Sequence, residues 1–388
     1  MTRVTVHEYA AALAPRYRRA KRQEKGRILD EFCQTTGMHR KAAIRLIGNA
    51  RPVKAGRRSR RRKYGPQAAD ALRQVWEVGD RMCGKLLVGA MPDLLAALER
   101  HGELRMAMAE REALLEMSAA TIDRLLRPAR RAIGRQPRAK RAAATGLKAQ
   151  VPIRTWSEWA GVAPGSLQVD LVLHCGESTE GFYLTTLSAV DAATGWTELQ
   201  AVWGMGKERV RSAVHHVRQK LPFAMRELHN DNGSEFLNHT LYSWCLKEKI
   251  GWTRGRSYQK NDQAYVEQKN WLAVRRHIGY GRYASKEAYH IMQQLHSLLT
   301  LYNNFFRPVR KIVGKERRGS KVVKRYDRPL TPYQRVLAAG CLSEADREEL
   351  ASQYLSLNPA SLQRRIENTL RRLWPLASYN IQNERRVG

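Results

Sequence analysis

The chain has 388 residues, which is too long for one ordinary domain, and we expect between two and four. It is 43% hydrophobic, yet no apolar run approaches the ~18 residues that span a bilayer, and the first residues lack the apolar block of a signal peptide. Its five cysteines are scattered, which argues against a disulfide framework and a paired-cysteine zinc site. We therefore expect a protein of a reducing compartment, the cytoplasm, with no membrane partner.

The charge distribution points to a polyanionic partner. The formal net charge is +33, from 69 Lys and Arg against 36 Asp and Glu. Residues 1–150 carry a net +20, residues 151–290 carry +3, and residues 291–388 carry +10. If the partner is DNA, the two basic flanks supply most of the attraction to phosphates, and the nearly neutral middle has another task.

Residues 1–55 have the pattern of two helices separated by a short turn at Gly37. The apolar side of the first helix would comprise Ile28, Leu29 and Phe32, and that of the second Ala43, Ile44 and Ile47. A helix, a glycine-containing turn and a basic helix are typical of a helix-turn-helix DNA-binding domain. Its groove-facing residues would be His39, Arg40, Lys41 and Arg45. A helical hairpin with a solvated basic face has the same pattern.

A second helical region follows a basic run at residues 56–66. We expect the run to contact phosphates or the minor groove through Arg58, Arg60, Arg61 and Arg62, although charge runs are usually solvated linkers. Residues 66–133 fit a second helix-turn-helix domain, in which Ser118 caps a helix that Pro128 limits. Residues 134–150 are predicted to form a basic linker.

After residue 150 the hydrophobic period changes from helical to alternating. S-L-Q-V-D-L-V-L-H, G-F-Y-L-T-T-L-S-A-V-D and T-E-L-Q-A-V predict three short antiparallel strands. A helix, a strand within residues 223–230, a second helix, a fifth short strand and a long helix follow. The order β-β-β-α-β-α-β-α predicts a mixed five-stranded sheet with helices on its faces, over residues 151–305.

Three acids accompany these elements. Asp170 lies inside the first strand, Asp231 ends the fourth in H-N-D-N-G, and Glu267 lies in the last helix, with 35 residues between the latter two. A carboxylate buried in an apolar strand costs several kcal/mol unless it is paired. The ordinary interpretation is a strand-edge charge, a turn aspartate and a solvated helix glutamate.

The spacing of these acids and the element types that carry them resemble the catalytic triad of the retroviral-integrase superfamily, which includes the D-D-E transposases of bacterial insertion sequences. The element order resembles their ribonuclease H-like core over residues 150–305. H-N-D-N-G-S-E-F resembles the family's second sequence block, and S-Y-Q-K-N-D-Q-A-Y-V-E-Q-K-N the third. Y-N-N-F-F-R-P, at residues 302–308, resembles the tail that follows such cores.

The resemblance implies a catalytic and metal-binding role for Asp170, Asp231 and Glu267. They would hold two Mg²⁺ ions, for which Mn²⁺ substitutes, with Asp170 bridging both ions and the other two acids binding one each. Tyr258 and Gln263 fall where integrases contact the DNA end. Asn270 shares a helix face with Gln263 and Glu267 and is also expected to contact DNA. A solvated basic face or phosphate contact would account for Lys260, Lys269, Arg275 and Arg276.

Several neighbouring residues are open to two interpretations. Asp191 lies near the metals or, as we favour, caps a turn. Trp252 and Trp271 are expected in the core, and four histidines are expected to be structural: His174, His215, His216 and His229.

The C-terminal part, residues 306–388, is predicted to be a basic α/β region with a helical tail. Residues 309–329 either run along DNA or form a small strand pair. A later stripe would pack on the core or on a second protomer, and it comprises Leu362, Ile366, Leu370 and Leu373.

The expected architecture is therefore multidomain, with an all-α helix-turn-helix region, a ribonuclease H-like core and the basic tail. The resemblance implies a bacterial, nucleoid-associated DNA transposase that binds terminal inverted repeats through residues 1–133. It would free a 3′-OH by hydrolysis and join it to target DNA, working as a homodimer or higher oligomer on double-stranded DNA. A nuclease that cuts without joining and an inert sequence-specific DNA-binding protein remain alternatives.

Overall fold

The chain divides into two compact units, Met1–Lys63 and Tyr64–Gly388. The computed structural model describes residues 2–50, 64–132, 159, 161–231, 233, 235–256, 263–319 and 321–378. The predicted basic run, except for its last residues, and the predicted linker at 134–150 lie outside the described residues. None of the helices in the described ranges is both long and apolar enough to cross a membrane.

The first unit contains three helices, α1 (Arg3–Arg19), α2 (Arg22–Thr36) and α3 (Arg40–Asn49). Its small core is formed by Ala10, Ala14, Leu29, Phe32, Ala43 and Ile47. Gly37 ends α2 in the left-handed conformation, with φ of 69°, as its sequence position predicts. The prediction for Ile44 is wrong, because this side chain is 42% exposed while Ala43 and Ile47 cover the core.

The second unit begins with a helical bundle that packs against later helices of the same unit. Its helices are α4 (Pro66–Val78), α5 (Gly84–Arg100), α6 (Met108–Leu115), α7 (Ala119–Leu125) and α8 (Arg127–Ala132). Leu72, Leu87 and Leu94 from the bundle belong to the same hydrophobic cluster as Leu295 and Leu299 from a later helix. The region 66–133, which we expected to be a separate domain, therefore shares a core with the rest of this unit. The Ser118 hydroxyl accepts a hydrogen bond from Thr121 N at 3.2 Å, which confirms the predicted cap of α7.

The predicted order β-β-β-α-β-α-β-α is confirmed. The elements are β1 (Ser166–Leu173), β2 (Thr185–Asp191), β3 (Thr197–Val202), α9 (Lys207–Lys220), β4 (Glu227–Asn230), α10 (His239–Lys247), β5 (Gly251–Arg254) and α11 (Ala264–Lys269). They form one five-stranded sheet in the order β3-β2-β1-β4-β5. β1 pairs antiparallel with β2 and parallel with β4, and β4 pairs parallel with β5, so the sheet is mixed.

Both faces of the sheet are covered. Leu167, Val169 and Leu171 of β1 belong to a cluster with residues of α9 and α10 on one face. Because side chains alternate along a strand, Gln168, Asp170 and Val172 point to the opposite face. Val172 accordingly belongs to the other cluster, with residues of the helices after α11. Central strands covered on both faces explain why β1 and β2 are buried almost throughout.

The chain continues from α11 through a π-helical turn (Asn270–Arg275) and α12 (Arg276–Ile278) to the long helix α13 (Lys286–Phe305). The last elements are β6 (Ile312–Arg318), β7 (Lys321–Tyr326), α14 (Pro332–Ala338), α15 (Glu344–Ser356), α16 (Pro359–Leu373) and a 3₁₀ turn (Trp374–Leu376). β6 and β7 form the strand pair that was one of the two expectations for this region. The stripe on α16 is buried against its own chain, where α16 packs on α13.

Candidate active site

Asp170 is buried in the middle of β1, with 2% of its surface exposed. Its carboxylate oxygen Oδ2 accepts a hydrogen bond from Asn270 Nδ2 at 2.5 Å. A buried carboxylate needs such a donor, because burial without a partner costs several kcal/mol. The Asn270 amide therefore holds one oxygen of Asp170 in a fixed direction and ties the segment after α11 to the central strand.

The register of β1 and β4 brings Asp231 beside Asp170. Gln168 is paired with His229, the last pair of this ladder. Continuing the parallel register by two residues sets Asp170 opposite Asp231, which directly follows β4. Neighbouring strands lie ~4.8 Å apart, and residues two apart share a face, so the two carboxyl groups belong to the same edge region of one face. Asp231 Oδ1 accepts a hydrogen bond from Gly233 N at 2.9 Å, which fixes the turn after the strand.

The side chain of Gln168 docks the start of α11 on β1. Its Oε1 atom accepts hydrogen bonds from Tyr265 N at 3.2 Å and Val266 N at 3.4 Å. The first N–H groups of a helix have no partner within the helix, so this amide oxygen replaces a cap. Glu267 is the next residue, and Asn270, which contacts Asp170, lies three positions further on the same helix face. The two contacts on either side of Glu267 therefore bring it to the face of β1 that carries Asp170.

The π-helical turn that follows α11 directs its basic residues inward. Arg275 donates hydrogen bonds to Leu173 O at 2.5 Å and to Gly279 O at 3.3 Å, which fixes the end of β1. Arg276 pairs with Asp80 at 2.8 Å. Single π-helical turns occur frequently at functional sites. Here the turn changes which residues face the core, and Trp271, expected in the core, is instead half-exposed.

Lys269 is a further correction to the predicted basic face. Only 6% of it is exposed, and its pKa is lowered to about 7 by burial and, to a smaller extent, by the nearby Arg307. Neither a solvated face nor phosphate contact fits such a position. The sequence reasoning failed here because it assumed a regular, solvated helix after Glu267.

Two amide side chains predicted to touch DNA each have a buried polar atom without a hydrogen-bond partner among the described residues. Gln263 is 7% exposed, and its Nε2 atom has no hydrogen-bond partner among the described residues. Asn270 Oδ1, next to the Asp170 carboxylate, is likewise a buried acceptor without a partner in these ranges. Orphaned buried polar atoms are rare in folded proteins and call for a partner such as an ion, water or ligand. Tyr258 and Lys260 lie outside the described residues.

The donor set suits a hard divalent cation, because carboxylate and amide oxygens are the ligands that Mg²⁺ accepts. Asp170, Asp231, Glu267 and the orphaned Asn270 Oδ1 supply such oxygens at one face of the sheet. Among the described residues, however, no group of three or more His, Cys, Asp or Glu side chains is arranged so that it could hold a metal ion. The chemistry of the donors therefore fits a metal, while the three acids do not converge in this structure.

Asp191 is a turn cap, as we favoured. Its Oδ1 accepts a hydrogen bond from Gly165 N at 2.8 Å, and its Oδ2 accepts one from Thr194 N at 2.7 Å. Burial raises the pKa of this carboxyl group, and the Thr194 donors oppose the rise. Buried His174 bonds Thr186 Oγ1 at 2.7 Å, in line with the structural role expected of it.

The predicted DNA-contacting residues of the first unit are exposed on α3 and at its N-terminus: His39, Arg40, Lys41 and Arg45. His39 Nδ1 accepts the Lys41 N–H at 3.3 Å and caps the helix, and Arg40 pairs with Asp30. Their contact with DNA stays a prediction. The run Arg58, Arg60, Arg61 and Arg62 lies outside the described residues.

A cavity of about 520 Å³ lies between β3, α9 and α13. It is lined by residues such as Trp203, Arg209, Lys220 and His296. None of the three acids, all of which lie in the described ranges, lines this cavity, so it is separate from the candidate active site.

These observations define an α/β protein with a mixed five-stranded sheet in the order expected for a ribonuclease H-like core, with acids on β1, after β4 and on α11. The chain is 40% identical to the uncharacterized protein y4rM of Sinorhizobium fredii (strain NBRC 101917 / NGR234) over 334 residues, which cover 86% of this chain and 95% of that protein. It belongs to the same family as y4rM. No protein-family model matches the chain.

Solved structures similar to the chain include two integrase cores. The catalytic core domain of BIV integrase matches with a TM-score of 0.29 and 19% identity, covering 45% of this chain and 95% of that one. The HTLV-2 integrase catalytic core domain, solved in complex with magnesium, matches with a TM-score of 0.29 and 13% identity, covering 38% and 92%. Because both TM-scores are below 0.5, neither likeness assigns a function to this chain.

Proposed function

We propose that this protein is a metal-dependent DNA transposase with Asp170, Asp231 and Glu267 as its catalytic acids. The observation that carries the proposal is the gathering of three carboxylate-bearing elements at one face of β1. The β1–β4 register, continued two residues beyond its last pair, sets Asp170 opposite Asp231, and the contacts of Gln168 and Asn270 bring in the helix turn of Glu267. Carboxylates carried to one face of a sheet repel one another as they approach unless cations neutralise them, which favours a metal-binding role for these acids over a purely structural one.

The proposed reaction has two steps with the same chemistry. In the first, a water oxygen attacks the phosphorus at the transposon end, the bond from phosphorus to the 3′ oxygen breaks, and a free 3′-OH results. In the second, this 3′-OH attacks a phosphodiester of target DNA, a new bond from phosphorus to oxygen forms, and the target's own 3′-OH leaves. Each step replaces one oxygen on phosphorus by another, water for the 3′ oxygen in the first step and one 3′ oxygen for another in the second, so neither needs ATP.

The chain's own residues would prepare the site for this chemistry. Asp170, Asp231 and Glu267 would hold two Mg²⁺ ions, which when bound activate the attacking oxygen and stabilise the leaving one. Asn270 orients one oxygen of Asp170, and Gly233 N orients Asp231. Gln168 fixes the start of the helix that carries Glu267.

The proposed partners are double-stranded DNA at the inverted-repeat ends and at the target. The net charge of +33 favours such a partner. Because two ends must be joined to one target, we propose that a homodimer or higher oligomer assembles on DNA.

The test uses a labelled duplex carrying the inverted repeat that flanks the gene, together with supercoiled plasmid. Wild type and Asp231→Asn are compared with Mg²⁺, with Mn²⁺ and with EDTA. We expect joining of label to plasmid that requires metal and is lost in the variant. Cutting without joining would instead identify a nuclease, and tight binding with neither activity would identify a DNA-binding protein.

A further inference from the structure

The strand pair β6–β7 is a basic ribbon with exposed side chains. Residues 312–326 contain six Lys and Arg against one acid, Glu316. The two strands pair antiparallel with each other and, among the residues that the structure describes, with no other strand. An isolated two-stranded ribbon is only marginally stable in water. Its presence in this protein therefore points to a function beyond packing.

The two faces of the ribbon differ in charge. Residues opposite each other in an antiparallel pair share a face, so Lys315 and Lys324 lie together, next to the pair Arg317 and Val322. These four exposed side chains form what we call the cationic face. Like charges directly opposite each other are unfavourable in a strand pair, so the Lys315 and Lys324 pair favours an anion near this face.

The opposite face carries the one acid of the ribbon, and the register also assigns to it Arg325 and the pair Arg318 and Lys321. Glu316 is paired with Val323, and Gly314 with Arg325. Arg325 forms an ion pair with Glu316 at 3.4 Å, so charge on this face is partly neutralised within the ribbon.

The base of the ribbon is anchored beside the candidate active site. Lys311 Nζ donates hydrogen bonds to Ala192 O, at 2.6 Å, and to Ala193 O, in the turn after β2. The same ammonium group lies 5.9 Å from the centre of the Tyr265 ring, in the first turn of α11 and two residues before Glu267. Lys311 N also donates to Asp327 Oδ1 at 2.7 Å, which ties the two ends of the ribbon together. The ribbon therefore starts beside the turn after β2 and the first turn of α11, the helix that carries Glu267.

We propose that the cationic face binds the phosphate backbone of the double-stranded DNA on which the candidate active site acts. This inference rests on the proposed function and names the surface that would hold its substrate. Residues two apart on a strand are ~7 Å apart, so Lys315 and Arg317 can contact successive phosphates of one strand. The major groove of B-DNA also admits a two-stranded ribbon, which lets both edges of the face reach phosphates.

The test compares one substitution on each face. Val322→Glu adds a negative charge to the cationic face, and Val323→Glu adds the same charge one residue away on the opposite face. Both valines are exposed, at 55% and 39% respectively, so the full-length variants lose no buried contact. Affinity for a 30-base-pair duplex is measured by fluorescence anisotropy in EDTA over a series of NaCl concentrations. We expect Val322→Glu to weaken binding at least about fivefold and Val323→Glu by less than about twofold, as phosphate contacts depend on local charge.

A second set of variants removes positive charge from the cationic face. The triple variant K315A/R317A/K324A should lower the slope of log affinity against log salt by about 2–3, since each phosphate contact contributes ~0.9. The charge-conserving triple K315R/R317K/K324R should keep the slope, which separates lost charge from a misfolded ribbon. A matched control removes three exposed arginines from α15 and α16, Arg347, Arg371 and Arg372, and should change the slope by less than one.

Equal effects of the two valine variants, or equal slopes for the ribbon and control triples, would overturn the proposal. If the ribbon variants lose affinity for single-stranded RNA but not for the duplex, the assignment to double-stranded DNA is overturned. Because binding is measured without metal, the result is independent of catalysis. If Asp231→Asn and wild type are both inactive while the cationic face still controls DNA binding, the proposed function fails and this inference stands.

Discussion

Asn270 orients the Asp170 carboxylate, because its amide donates a hydrogen bond to Oδ2. We expect Asn270→Ala to lower the rate of metal-dependent joining by about 10–100-fold, the usual cost of losing a residue that orients a metal ligand. The concentration of Mg²⁺ for half-maximal rate should rise with it, which a purely structural defect would not cause.

The control for this prediction is Gln268→Ala, an exposed residue of the same helix. It should leave both the rate and the Mg²⁺ requirement unchanged. An Asn270→Ala protein with a normal Mg²⁺ requirement would show that Asn270 does not orient the acid.

Glu198, in β3, carries a buried carboxyl group away from the candidate site. Burial raises its pKa from 4.5 to about 7, although the Trp196 indole N–H donates to it at 2.8 Å. The folded state therefore binds more protons than the unfolded state between these two values, and the free energy of unfolding falls as pH rises from about 4.5 to 7. We expect Glu198→Gln to remove this loss and to stabilise the protein at pH 8 by ~3 kcal/mol.

Urea unfolding at pH 5 and pH 8 checks this prediction. The difference between Glu198→Gln and wild type should be larger at pH 8. Glu349→Gln, at an exposed position of α15, should show no such difference. If Glu198→Gln raises the free energy of unfolding equally at both pH values, ionisation of Glu198 is not the cause of the increase.

At the scale of elements, the turn between α4 and α5 holds the helix that continues from Glu267. Asp80 accepts a hydrogen bond from Arg276 at 2.8 Å and pairs with Arg307, which is almost fully buried. Its backbone oxygen accepts a second hydrogen bond from Arg276 at 2.7 Å. Asp80 has φ of 48°, a left-handed conformation that is unfavourable for a residue other than glycine. The ion pairs are therefore formed at some cost in backbone strain.

We expect Asp80→Asn to lower the free energy of unfolding by about 3–5 kcal/mol, because it leaves the buried Arg307 and the partly buried Arg276 without their counter-charge. Urea unfolding measures the loss, and Asp70→Asn, on the exposed side of α4, is the matched control. If both variants unfold alike, the contacts of Asp80 contribute little to stability.

The elements were predictable where one local pattern determines them. Alternation in L-Q-V-D-L-V-L predicts β1, and the polar Gln168 and Asp170 in one phase indicate a face that meets something other than apolar side chains. The role of Gln168 in holding the start of α11 on β1 was not predicted, although a polar side chain on this face of the strand was a signal for it. The burial of Lys269 could not be predicted, because it depends on a π-helical turn and on Arg307, 38 positions along the chain. Asp80 carried no sequence signal, since its partners are more than 190 residues away.

At the scale of the whole molecule, long-range packing decides which segments form one unit. The bundle of α4–α8, the helix α13 and the tail helix α16 share a single hydrophobic cluster. Periodicity predicted most of these helices, but it carries no information on which apolar faces meet. This is why residues 66–133 were expected as a separate domain, and why the partner of the α16 stripe was left open between the core and a second protomer.

The first unit has its own core, and this separation predicts that the two units have different functions in DNA binding. A variant that lacks residues 1–63 should keep the fold of the second unit, whose hydrophobic clusters contain no residue of α1–α3. It should also keep non-specific DNA binding through the remaining basic residues. Specific complexes are typically at least ~10³-fold tighter than non-specific ones, and we expect the shortened protein to prefer the inverted-repeat duplex over a scrambled duplex by less than tenfold.

Full-length K41A/R45A should show the same loss of preference if α3 reads the sequence, since both side chains are exposed and neither contributes to the core. Competition binding with the two duplexes measures the preference, and thermal unfolding confirms that each variant is folded. A shortened protein that still discriminates would assign sequence recognition to the second unit, with the bundle of α4–α8 as the element to mutate next.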